Sequence, residues 1–103
     1  MPTRPSQSTE EQALRWEERR RSVGARIREL RLGQEISQEA LALESGLSRN
    51  MIIGLEWGKK SVAYERLWDI ADALEVPVSA LLNEPTSPAK YEAYRGGRRP
   101  MGA

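Results

Sequence analysis

The sequence predicts an all-α fold: five short helices in one small domain, with an extra N-terminal helix ahead of them and a disordered C-terminal tail behind. Three observations predict it. Apolar residues recur at three- and four-residue spacing, and no stretch carries the strict alternation of a half-buried strand. Serines stand where the periodic runs begin, placed to accept from the free N–H groups of a first helical turn. The length, 103 residues, allows one small domain and not two.

Each element follows from local chemistry. Residues 1–8 are rich in Pro, Ser and Thr and read as a disordered arm. A helical extension is expected over 9–21, opened by a capping box of Ser8 with Glu11 or Thr9 with Gln12. Ala13, Leu14 and Trp16 give it only a thin apolar face. Its run Arg19-Arg20-Arg21 reads as a solvated helix end, with a phosphate contact as the alternative. From Val23, Ile27 and Leu30 the pattern tightens into an amphipathic helix over 22–32, with Gly33 as its stop. Ser37 caps a helix over 38–45 that turns Leu41 and Ala42 inward, and Ser45-Gly46-Leu47 is a turn. Ser48 caps the next helix, which runs to about Trp57 and is broken by Gly58-Lys59-Lys60. Ser61 is expected to cap a fourth, carrying Tyr64, Leu67, Trp68, Ile70, Ala71 and Leu74. Tyr64 and Trp68, four apart, are read as core residues, with a dimer patch as the alternative. Pro77 suits the first turn of a short helix over 78–83. Residues 22–84 thus form the domain, and 85–103 a flexible basic tail.

Composition excludes several chemistries. With no cysteine and no histidine, there is no disulfide framework, no Cys/His zinc site, no Cys nucleophile and no histidine base. Asp69 and Asp72, on one helix face, read as ordinary solvated charges. No phosphate-cradling glycine loop or paired-carboxylate constellation appears, so neither an enzyme nor a cofactor or metal is expected. Apolar runs such as Met51-Ile52-Ile53 fall far short of the ~20 residues that cross a bilayer. No signal peptide is visible, and the expected address is the cytoplasm. The net charge of +1 hides a layout: +1 over residues 1–21, −3 over 22–84 and +3 over 85–103. A mildly acidic middle does not advertise nucleic acid, so a DNA-binding surface there must gather its basic residues on one side, with the basic tail as a further source of charge.

Residues 38–57 carry the function. Two short helices joined by a three-residue turn around a glycine form the arrangement of a helix-turn-helix. Ala42 is small where the helices cross, and Gly46 lies where the chain reverses. At about 100° per residue, Ile52 and Leu55 define the buried side of the second helix. The opposite side is Asn50, Ile53, Gly54 and Trp57, with Arg49 at its start. Three of these choices are locally poor. Gly54 costs about 1 kcal/mol against Ala in a helix interior. Arg49 opposes the helix dipole, and Ile53 points an apolar chain at water. A docking surface explains all three: Arg49 for a guanine edge, Asn50 for adenine, Ile53 for a thymine methyl and Gly54 for close approach.

Gln38-Glu39-Ala40-Leu41-Ala42, Ser45-Gly46-Leu47-Ser48-Arg49, Ile52, Leu55-Glu56 and Gly58-Lys59 together resemble the Cro/CI-type (XRE-like) helix-turn-helix family of DNA-binding transcriptional regulators. Gly24–Arg31 resembles that family's first helix and Leu67–Leu74 its fourth, so the likeness covers about residues 22–83. The stretch from Ser48 to Glu56 is similar to the restriction–modification controller proteins. The resemblance implies a five-helix lambda-repressor-like domain that acts as a dimer on a near-palindromic double-stranded DNA operator, with helix 48–57 in the major groove. It implies base contacts from Arg49, Asn50, Ile53 and Gly54. It implies phosphate contacts from Gln38, Ser48, Lys59, Lys60 and Ser61. Arg31 and Glu56 match a partly buried structural ion pair, and Val78, Leu81 and Leu82 fall where dimer contacts are expected. Glu35 and Glu75 stand where the family often has glycine, and Trp57 is unusual before Gly58. The alternative reading is an antitoxin-type or other protein-interaction regulator that binds a partner through its terminal extensions.

Overall fold

In the computed structural model of the chain, residues 5–83 are described, with side chains from Thr9 onward. The expected tail over 85–103 and the first four residues of the arm lie outside them. The described residues form five helices: α1 (Pro5–Gly33), α2 (Gln38–Ser45), α3 (Arg49–Glu56), α4 (Tyr64–Leu74) and α5 (Val78–Leu81).

α1 is one unbroken helix of 29 residues. The extension expected over 9–21 and the helix expected over 22–32 are therefore a single element, and the arm is helical from Pro5 on. Ser8 and Thr9 both lie inside α1, so neither of the expected capping boxes is a helix start. Nothing between Arg21 and Gly24 stops a helix: there is no proline, and Glu17 and Arg21 bridge one turn before the junction at 2.9 Å. Gly24 is a crossing point. A Cβ there would overlap the carbonyl oxygen of Leu55, so only glycine lets α1 lie against α3 this closely.

The caps at α2 and α3 are those the sequence predicts. Ser37 Oγ accepts from the Ala40 N–H and Ser48 Oγ from the Met51 N–H, both at 3.0 Å. α2 ends on Gly46 in the left-handed region, φ 76°. Ser61 is not the cap of α4; that position belongs to Ala63, which makes no side-chain cap bond. The left-handed residues after α1 and α4 are Glu35 and Glu75, at φ 59° and 57°. The chain holds them there with the six-to-one bonds of a Schellman turn, from the Ile36 N–H to the Arg31 carbonyl at 3.1 Å and from the Val76 N–H to the Ala71 carbonyl at 3.0 Å.

The core gathers Ile27 and Leu30 of α1, Leu41 of α2, Ile52 of α3, Ile70 and Leu74 of α4, and Leu81 of α5. Leu81 is fully buried, which removes it from the expected dimer contacts. A one-turn helix has one inward residue, and here Leu81 is that residue. Its neighbours Val78 and Leu82 are half-buried and exposed. Tyr64 and Trp68 are not core: they are 69% and 51% exposed and meet edge to face at a ring separation of 6.2 Å. Leu67, Ile70, Ala71 and Leu74 already fill the inward stripe of α4, leaving the two rings at its edge. Side chains also tie the helices end to end. Gln34 donates to the Leu74 carbonyl at 2.7 Å, Arg26 to the Ala80 carbonyl at 2.8 Å, and Arg66 to the Ser45 and Gly46 carbonyls at 3.1 Å each.

Candidate nucleic-acid interface

The interface is built on α3. Its inner side is clamped by Ile52 and Leu55, and its last residue is locked from behind. Glu56 accepts two bonds from Arg31, Nε to Oε2 at 2.6 Å and Nη2 to Oε1 at 3.0 Å. Arg31 also donates to the Ile36 carbonyl at 2.8 Å. The two side chains are 8% and 2% exposed, so this fork is a buried strut between α1 and α3, as the resemblance implies.

Clamped in this way, α3 presents its first turn outward. Ser48, Arg49 and Asn50 are exposed, and Ile53 is half-exposed one turn on. Asn50, Ile53, Trp57, Lys59 and Lys60 line one shallow open depression with Gly54 at its floor. The structure therefore brings these predicted residues together, with Arg49 beside them at the start of the helix. Gly54 differs from its expected place on the open face. It is buried, and a Cβ on it would fall 2.7 Å from Cγ and Cδ of Lys60. The glycine makes room for the lysine's aliphatic stem, and the wheel missed this because it sees only one helix at a time. The loop that carries Lys60 is held onto α3 by bonds from the Lys59 and Lys60 N–H groups to the Gly54 carbonyl, at 2.8 and 3.2 Å. Ser61 follows, exposed, on the far side of Lys60.

A second, more polar cleft of about 740 Å³ opens beside α2's first turn, lined by Arg28, Arg31, Ser37, Gln38, Glu56 and Trp57 among others. Gln38 donates from Nε2 to Glu56 Oε1 at 3.1 Å. One of its amide N–H groups is thus committed to the strut, while an amide nitrogen carries two. Trp57 lines both this cleft and the depression on α3, and is 69% exposed. It does not pack into the core. Arg28, exposed, also lines this cleft.

The helix-turn-helix family profile matches residues 27–81, more than half the chain. The chain belongs to the Cro/CI-type (XRE-like) helix-turn-helix family. This helix-turn-helix protein is 37% identical over 62 residues to an uncharacterized transcriptional regulator in the ATPase CF(0) region of Rhodospirillum rubrum. That match takes in 60% of this chain and 57% of the relative's length. Among solved structures it is similar to the restriction-modification controller protein C.AhdI from Aeromonas hydrophila. The TM-score is 0.61 at 35% identity, over 63% of this chain and 94% of that one. It is similar also to a hypothetical transcription factor, NHTF, from Neisseria, with TM-score 0.62 at 29% identity over 70% and 83% of the two chains. The clp gene regulator ClgR from C. glutamicum gives 0.55 at 27% identity over 76% and 88%. The expected likeness to the controller proteins is borne out.

Proposed function

We propose that this chain is a sequence-specific double-stranded DNA-binding transcriptional regulator. It acts as a homodimer on a near-palindromic operator, with α3 in the major groove. One observation carries the reading: α3 is rigidly backed by the core and the Arg31–Glu56 fork, while its first turn holds Arg49 and Asn50 in the open. Arg49 and Asn50 are the direct readers, by paired hydrogen bonds to guanine and adenine edges, and Ile53 meets a thymine methyl. Gly54 supports the readers by seating Lys60.

Phosphate contacts flank them. Lys59 and Lys60 come from the loop after α3, with Ser61 beside them. Ser48 retains its hydroxyl hydrogen while its oxygen caps α3. Gln38 uses its second amide N–H beside the free N–H groups of α2's first turn. Val78 and Leu82 are the residues of the α5 end that remain for a second copy. Such a regulator works in the cytoplasm, on the nucleoid when bound. The relatives' own descriptions as regulators support this reading.

Hydroxyl-radical footprinting of the purified protein on a bound duplex tests it. Two protected patches about one helical turn apart are expected, related by a two-fold axis. Uniform protection that follows no sequence would contradict it.

A further inference from the structure

We infer that the N-terminal half of α1 is a second backbone-binding element, in which Arg19 and Arg20 join Lys60 to hold the phosphates of the same duplex beyond the bases that α3 meets. The inference rests on the DNA-binding reading above and extends it to residues that the helix-turn-helix does not include.

The geometry begins at the loop after α3. Gly58 has φ 73°, and a Cβ on it would lie 2.8 Å from the Cα of Arg21 and 2.7 Å from its Cγ. α1 is therefore pressed directly onto the turn that carries Lys59 and Lys60. Arg20 fastens the contact, donating from Nε to the Gly58 carbonyl at 3.2 Å. Next to it runs a groove of about 170 Å³ floored by Val23, Ile27, Leu55 and Leu67. Arg19, Arg20, Lys60 and Ser61 stand on its walls.

Lys60 lines both this groove and the depression on α3. The two surfaces therefore adjoin at Lys60, with Arg19 and Arg20 on one side of it and Asn50 and Ile53 on the other. Among the described residues, no carboxylate lines either one. That is selective in residues 1–84, which hold fourteen acidic residues against twelve basic ones. The nearby Glu17 is engaged with Arg21 at 2.9 Å. Cations gathered around Lys60 on an otherwise acidic domain match a polyanion that is already seated on α3. The apolar floor is no obstacle, because it supports the arginine stems, and Arg20 keeps its Nη groups for a phosphate while Nε holds Gly58.

The test compares salt dependence. Affinity for a duplex that the wild-type protein binds is measured from low to moderate salt for Arg19→Gln, for Arg19→Gln with Arg20→Gln, and for Lys59→Ala with Lys60→Ala. The slope of log affinity against log salt should fall in magnitude by about 1 for the single variant and about 2 for each double variant. At low salt the single variant should bind roughly 5- to 10-fold more weakly, with its ranking of different duplexes unchanged. Thermal melting checks that Arg20→Gln leaves the fold intact. Arg19→Gln is at an exposed site and keeps the test open if the double variant unfolds. A wild-type slope in the Arg19 variant, alongside a reduced slope in the lysine variant, would overturn the inference and leave the DNA-binding reading standing. If wild-type protein binds no duplex at all, the reading beneath it fails as well.

Discussion

Arg49 and Glu56 lie seven residues apart on one short helix and do opposite work. Arg49 is exposed, with nothing behind it to stabilise, so its removal should register in binding. Arg49→Ala should cost about 1–3 kcal/mol on a preferred site and relax the choice at one base position. Competition titrations against a panel of singly altered duplexes would show this. An equal loss on all of them would make Arg49 a phosphate contact. Glu56 is buried against Arg31. Glu56→Ala strands that guanidinium and should lower folding stability by about 3–5 kcal/mol, measured by urea denaturation. A change below about 1 kcal/mol would mean that the fork is not a strut. Gly54 shows what the sequence hides at this scale. The wheel gave its face on α3, but the neighbour that fills the space, Lys60, belongs to a loop whose path no periodicity encodes.

Helices α2 and α3 were legible nearly to the residue, because Ser37, Ser48 and Gly46 are caps whose chemistry is local. α1 was not. Arg19-Arg20-Arg21 reads as a helix end and the apolar pattern tightens only from Val23, yet nothing there breaks the helix, and α3 offers it a close crossing at Gly24. Gly24→Ala forces its new methyl into the Leu55 carbonyl and should cost about 1–3 kcal/mol, even though Ala is the better helix former. A thermal melt of the variant decides. An unchanged or higher midpoint would mean that α1 and α3 separate freely. Ser61 failed as a cap for a related reason: with the Lys59 and Lys60 amides bound to Gly54, the loop enters α4 two residues later than serine content suggests. Tyr64 and Trp68 misled because periodicity gives the direction of a buried stripe and not its width.

For the molecule as a whole, the fold class was plain in the sequence, since all-helical periodicity survives any error in single elements. Assembly was the least legible property. Leu81 and Leu82 are adjacent and chemically identical, and only packing shows that the first closes the core while the second faces out. If α5 meets a second copy, Leu82→Asp should convert the protein to monomers in sedimentation velocity. Unaltered dimers would move the contact elsewhere, with the exposed Tyr64–Trp68 pair as the next surface to change. The central claim, that the outward turn of α3 reads base sequence in duplex DNA, is tested most directly by selecting bound duplexes from a random pool with the purified protein. The account predicts an enriched motif whose two halves are inverted copies about one helical turn apart, lost on selection with the Arg49→Ala, Asn50→Ala double variant. A pool that emerges as random as it entered, from protein shown to be folded, would contradict it.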